Sequence, residues 1–261
     1  MDKRKIIFYE NEMTDEFSRA KITPRPIDSN YVYLHNSRWK AFTHFFWYRV
    51  IAHPLAWIYT KVALHHRIVH REILNSFRDT GFFLYGNHTQ EIADALIPTL
   101  ITLPTETYVI VHPNNVSIPV LGRITPSLGA LPLPDDRGAY KHFMQAVERR
   151  LEEKKAIAIY PEAHIWPFYT RIRPFPSDSF TYPIKYGTPA FCFTNTYQKR
   201  KHSKKPRIVT YLDGPFYPDP SLSPRRQRED LRDRIHTVMT ERAKSSTVQW
   251  IHYEKKENSH G

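Results

Sequence analysis

The sequence predicts an α/β protein with a mostly parallel central sheet flanked by helices, preceded by an N-terminal amphipathic helical pair. Three observations carry that expectation. The runs "FFLYG" (82–86), "TYVIV" (107–111), "AIAIY" (156–160), "AFCFT" (190–194) and "RIVTYL" (207–212) are short and largely apolar, as parallel strands buried on both faces are. Helical stretches lie between strands, the order that puts helices on both faces of a sheet. Ahead of this alternation, residues 39–66 carry aromatic residues at helical spacing.

In chain order, residues 1–37 read as an extended, proline-containing lead-in. From Trp39 to His66, the residues Phe42, Phe45, Phe46, Val50, Leu55, Ile58 and Val62 recur at helical spacing, and Pro54 breaks or kinks the middle. Thr43, His44, Arg49, His53 and Lys61 interrupt the run. It therefore lacks the roughly 18 or more uninterrupted apolar residues of a membrane-spanning helix. Two readings remain for this segment: helices lying in a membrane interface, or helices packed on the protein's own core. Residues 91–97 read as a helix that Pro98 ends or kinks. Residues 139–154 form a strongly amphipathic one, with Phe143, Met144, Val147 and Leu151 on one face. A last helix spans 224–243, with Ser223 as N-cap and Pro224 in the first position. The basic stretch "QKRKHSKKPR" (198–207) reads as a solvated loop able to meet anions. The divisions expected are 1–70 for the lead-in and interface helices, 71–250 for the catalytic domain, and 251–261 for a polar, frayed tail.

Composition bounds the partners. Of 261 residues, 41% are hydrophobic and 14% aromatic, enough for a substantial core, and the net charge is +12. Such a charge favours anionic membrane surfaces, phosphorylated substrates, acidic carrier proteins or nucleic acid. No recognisable nucleic-acid-binding module accompanies it, so nucleic acid is not expected. The single Cys192 excludes an internal disulfide and fits a reducing compartment. No apolar signal-peptide core follows the basic start. The histidines are scattered, and "ALHHRIVH" lacks an acid at ligand spacing, so no metal is expected.

The chemistry concentrates in "GNHTQEIADAL" (86–96). His88 follows a strand, and ligands of α/β sheets gather at the carboxyl ends of strands. A neutral imidazole is the usual general base for a hydroxyl if an acid fixes its tautomer. Two acids compete. If the helix begins at His88, Glu91 at i+3 shares its face, while Asp94 is turned away by roughly 240°. If the helix begins later, His88 lies outside it and can fold back onto Asp94. Ile92, Leu96, Ile97 and Leu100 mark the expected apolar face, with Glu91 and Asp94 opposite.

"NHTQEIAD" resembles the first motif of the glycerophospholipid acyltransferases, the 1-acylglycerol-3-phosphate O-acyltransferase type, in which a histidine and an aspartate enclose four residues. Here His88 and Asp94 enclose five. "LGALPLPDDRG" (128–138) is similar to the second motif through Gly129 and Arg137, with Arg123 upstream as a further candidate cation. "YPEAHIWP" (160–167) resembles the third through Pro161 and Glu162, but without its arginine, a role Arg171 or Arg173 would fill. "KYGTPAFCFTN" (185–195) resembles the fourth through Pro189.

The resemblance implies transfer of a fatty acyl group from an acyl thioester, of CoA or acyl carrier protein, to the hydroxyl of a lysophospholipid. It implies His88 as base, Asp94 as its orienting acid with Glu91 as the alternative, and Arg137 on the acceptor phosphate. Glu162 would organise the acceptor site and Pro189 would line the acyl side. Backbone amides where the helix begins would hold the oxyanion. No cofactor is required. The protein would sit peripherally or monotopically on an anionic membrane, at its cytoplasmic face. An idle lipid-binding scaffold of the same fold is the alternative.

Overall fold

The protein is described by a computed structural model covering residues 5–18, 22–35, 37–201 and 203–256. The apolar runs become strands of one sheet, joined by two short strands that depend on their neighbours. In chain order the elements are β1 (Lys5–Tyr9), α1 (Arg38–Phe45), α2 (His53–Ile58), β2 (Arg67–Val69), β3 (Phe82–Gly86), α3 (Ala93–Thr102), β4 (Thr107–Val111) and β5 (Ala130–Pro132). Then follow α4 (Arg137–Glu152), β6 (Ala156–Ile159), α5 (Thr181–Tyr186), β7 (Ala190–Arg200), β8 (Ser203–Phe216), α6 (Pro224–Ala243) and β9 (Ile251–Lys255). Seven strands form a sheet in the order β2-β8-β7-β3-β6-β4-β5, parallel throughout except for the β7–β8 hairpin.

Successive side chains of β3 go to opposite layers, as the period of a strand requires. Phe83 and Tyr85 join Phe143 and Val147 of α4 and Leu231, Ile235 and Met239 of α6 in one core. Phe82 and Leu84 join Ile97 and Ile101 of α3 in the other. Both faces are thus covered, which is why these strands show no polar alternation.

Five features differ from the sequence expectation. The helices α1 and α2 run end to end, joined by a π-helical segment (46–52), and a second one (59–63) follows α2. Pro54, which has no amide hydrogen to donate, sits in the first turn of α2, where the preceding turns have widened instead of breaking. Helix α3 continues through Pro98 to Thr102. The basic 198–207 stretch is mostly the distal part of the β7–β8 hairpin. The expected frayed tail is a strand up to Lys255: β9 pairs in parallel with β1, because Ile251 and Tyr253 bury themselves against Tyr9, Trp166 and Tyr169. Residues 257–261 of that tail lie outside the described residues. Ser223 precedes α6 as expected, but its side chain makes no capping bond; the amide of Gln227 donates to its carbonyl instead, 2.9 Å away.

The helical run 38–63 reaches from the amino end of β4 to the amino-terminal half of β8. Near its middle, Thr107, the first residue of β4, donates its amide to the Tyr48 hydroxyl at 2.8 Å. Arg49 pairs with Glu106, which also pairs with Lys155 at 2.8 Å. At its end the amide of Ile208 donates to the Leu64 carbonyl. The opposite face is bare: Trp39, Phe42, Phe45, Val50, Leu55 and Trp57 are all exposed, Trp39 by 68%. No helix among the described residues is long and apolar enough to cross a membrane.

Candidate active site

Strand β3 ends at Gly86, paired with Phe193 of β7. A Cβ at Gly86 would run into the ring of Phe193, which is wholly buried, so the packing of that ring requires glycine. The chain then leaves the sheet, and α3 begins only at Ala93. His88 is therefore outside the helix, and it meets Asp94. Its Nδ1 lies 2.9 Å from Asp94 Oδ2. The amides of Thr89 and Gln90 donate to the same oxygen at 2.8 Å each. Asn195 Nδ2 donates to Oδ1 at 3.2 Å. Burial pushes the Asp94 carboxyl above its ordinary range, and the bond from His88 and the two amides oppose it. Because an ionised carboxylate only accepts, the shared proton sits on Nδ1 and the lone pair of His88 on Nε2. The His88 side chain keeps 18% of its surface, against 2% for Asp94.

Tyr160, at the end of β6, stacks on the His88 ring with centroids 4.5 Å apart, and its hydroxyl donates to the Asp94 carbonyl. Glu162 accepts from the His88 amide at 3.0 Å and from the Arg173 amide at 2.9 Å. The Arg173 guanidinium, 1% exposed, pairs with the Glu162 carboxylate at 3.2 Å and lies over the Trp166 ring. It also donates to the Glu12 carbonyl at 3.1 Å. The main chain of the same loop holds the dyad strand: Trp166 N donates to the His88 carbonyl and Phe168 N to that of Thr89.

The other expected residues fall out as follows. Glu91 is exposed, in the turn before α3. The apolar face of α3 is Ala93, Ile97 and Ile101 rather than the set starting at Ile92, which is exposed; Asp94 is on the buried side, because its carboxylate has donors there. The amides of Thr89 and Gln90, in the turn that leads into α3, are engaged by Asp94. Arg137 opens α4 on the surface, after the edge strand β5. That strand is three places from β3 in the sheet, roughly 14 Å at the usual strand spacing. Arg123 and Arg171 are exposed, the latter over the Tyr169 ring. Arg173 is the buried partner of Glu162, not a free cation facing the acceptor. Gly129 caps a short turn at φ +90°. Pro161 and Pro189 are buried, and the Pro189 carbonyl accepts from Phe83 N. Cys192 is wholly buried, which pushes its thiol up and away from nucleophilic use.

Sequence reasoning missed Asn87 and Asn195 as a pair. The Asn87 side chain bonds both the amide (2.8 Å) and the carbonyl (3.1 Å) of Asn195. The available signal was that "FFLYGN" and "AFCFTN" both end an apolar run in asparagine.

An imidazole fixed by a buried carboxylate, open on its second nitrogen, is a general base for a hydroxyl, and it stands at the carboxyl end of a parallel sheet. Residues 67–194 match the family model described as Acyltransferase. The protein is an O-acyltransferase. Its fold is similar to that of PlsC, the 1-acyl-sn-glycerophosphate (LPA) acyltransferase of Thermotoga maritima, with 17% sequence identity, 82% of this chain and 86% of that chain covered, and a TM-score of 0.53. No curated protein sequence matches the chain significantly.

Proposed function

We propose that the protein moves a fatty acyl group from a thioester of CoA or acyl carrier protein to the free hydroxyl of a lysophospholipid, with 1-acylglycerol-3-phosphate as acceptor and phosphatidic acid as product. The observation that carries this reading is the His88–Asp94 contact, with Nε2 of His88 left as acceptor. His88 takes the hydroxyl proton as the oxygen attacks the thioester carbonyl. Asp94 holds the imidazole and stabilises the imidazolium, the orienting role of the acid in hydrolase triads. The tetrahedral intermediate then expels the thiolate, which recovers the proton from His88. No covalent acyl-enzyme forms. Arg137 is the proposed cation for the acceptor phosphate, and Glu162 orders the loop beside His88.

The exposed aromatic face of residues 38–63 supports docking in a bilayer interface, where aromatic rings and flanking cations are favoured. The exposed Lys199, Lys201, Lys205 and Arg207 of the β7–β8 hairpin support an anionic surface. Strand β7 continues seven residues past its pairing with Gly86, so this hairpin leaves the sheet on the His88 side. The one free thiol, Cys192, fits the cytoplasmic face.

The test is release of free thiol from acyl-CoA, or from acyl carrier protein, on vesicles with and without lysophosphatidate. Lysophosphatidate-dependent release supports the proposal. Vesicle binding with no turnover on either donor overturns it in favour of an idle lipid-binding scaffold.

A further inference from the structure

A buried histidine outside the dyad ends in the dyad. Asp94 Oδ1 can only accept, so the Asn195 amide must present Nδ2 to it and Oδ1 to the other side. That Oδ1 receives the Thr210 hydroxyl proton at 2.6 Å. Thr210 has one proton to give, so its oxygen accepts from His66 Nε2, 2.8 Å away. Every donor in this row points toward Asp94. His66, Thr210, Asn195 and Asp94 are all buried, and hydrogen bonds in series through a buried polar row favour one arrangement of its members.

His66 is also where the helical run 38–63 joins the sheet. Its amide donates to the Thr60 carbonyl at 2.9 Å, and Lys61 Nζ donates to its carbonyl at 3.1 Å. Arg67, the next residue, starts the pairing of β2 with β8.

We infer that His66 is a positioning residue for acyl transfer: through Thr210 and Asn195 it sets the orientation of Asp94, and so ties the seating of the bilayer-facing helix to the geometry of His88. This rests on the reading of His88 and Asp94 as the catalytic pair. The inference predicts a split between kinetic constants. His66→Phe keeps an aromatic ring and loses the donor, and it lowers kcat, by up to about 100-fold where a displaced reacting group is the cause, with KM for both substrates unchanged. His66→Gln, which can place an amide nitrogen where Nε2 lies, restores most of the loss. Thr210→Val is the second break in the row and repeats the His66→Phe effect.

The deciding measurement is a double-mutant cycle. In an Asn195→Ala background, His66→Phe should cost nothing further in kcat if the effect travels through Asn195. Losses that multiply, or equal losses in His66→Phe and His66→Gln, overturn the inference. NMR titration of 15N-labelled His88 provides a readout that needs no turnover: its midpoint moves in His66→Phe and returns in His66→Gln. An unmoved His88 titration refutes the relay, whereas a wild-type protein without acyl transfer but with this shift refutes only the catalytic reading.

Discussion

Asp94 meets His88 from six positions down the chain because α3 starts at Ala93, leaving the histidine free to fold back over the first helical turn. A helix that began at the histidine would have given the role to Glu91, which instead lies exposed. The one-residue stretch of the motif is thus absorbed by where the helix starts.

Exchanging the two acids separates them. Asp94→Asn keeps the shape but offers the imidazole the wrong hydrogen-bonding partner, and kcat should fall on the order of 10³–10⁴-fold, as for the orienting acid of a triad. Glu91→Gln should leave kcat and KM near wild type. Steady-state kinetics on vesicle-presented acceptor checks both, and a larger loss in Glu91→Gln refutes the assignment.

Breaking the Glu162–Arg173 pair should cost far more than an exposed ion pair does. Arg173→Ala leaves the carboxylate buried and unpaired, a change of about 3–5 kcal/mol. Urea denaturation of Arg173→Ala beside Arg171→Ala reads the contrast; Arg171, on the surface, should be nearly silent.

Stability should depend on pH through His66. Burial, with a smaller contribution from Lys61, pushes its pKa down from 6.5 to about 4. Between those values the unfolded chain binds a proton that the folded protein does not. The stabilisation is therefore complete above about pH 6.5 and declines as the pH falls toward 4, by up to about 3 kcal/mol at 1.36 kcal/mol per pH unit. Denaturation midpoints of wild type and His66→Gln should converge at low pH; parallel curves from pH 7 to 4 contradict this.

Membrane binding should divide into two separable parts. Neutralising Lys199, Lys201, Lys205 and Arg207 to glutamine removes cations worth about fivefold each at an anionic surface. Co-sedimentation with anionic vesicles should drop steeply, with binding to neutral vesicles unchanged. Replacing Trp39, Phe42 and Trp57 with serine should weaken both. Full anionic preference in the charge variant would mean the hairpin is an ordinary solvated turn.

The apolar runs and their helices were readable because a strand buried on both faces has no polar residue to interrupt it, and five of the seven strands of the large sheet announce themselves so. Strands β2 and β5 have three residues each and exist by virtue of β8 and β4. Strand β9 does carry an alternation, Ile251 and Tyr253 buried between half-exposed neighbours, yet its partner is β1, at the other end of the sequence. His88 was legible from its place after β3. Its acid was not settled by spacing, which left the helix start open. Arg173 gave no hint of burial, since only Glu162 and Trp166 together make room for a guanidinium.

The pairing of β1 with β9 has a bearing on how the protein is made. Trp166, whose amide holds the His88 carbonyl, is packed by Tyr9 and Tyr253 and donates its indole proton to the Asp15 carbonyl. Contacts that join the two ends of a sequence form late, because a long loop must close before they are rewarded. A nascent chain can assemble the seven-stranded sheet before residues 251–255 exist, but the loop beneath His88 stays unbraced until they arrive. Catalytic competence should therefore lag behind secondary structure during synthesis and refolding, keeping a half-made enzyme silent.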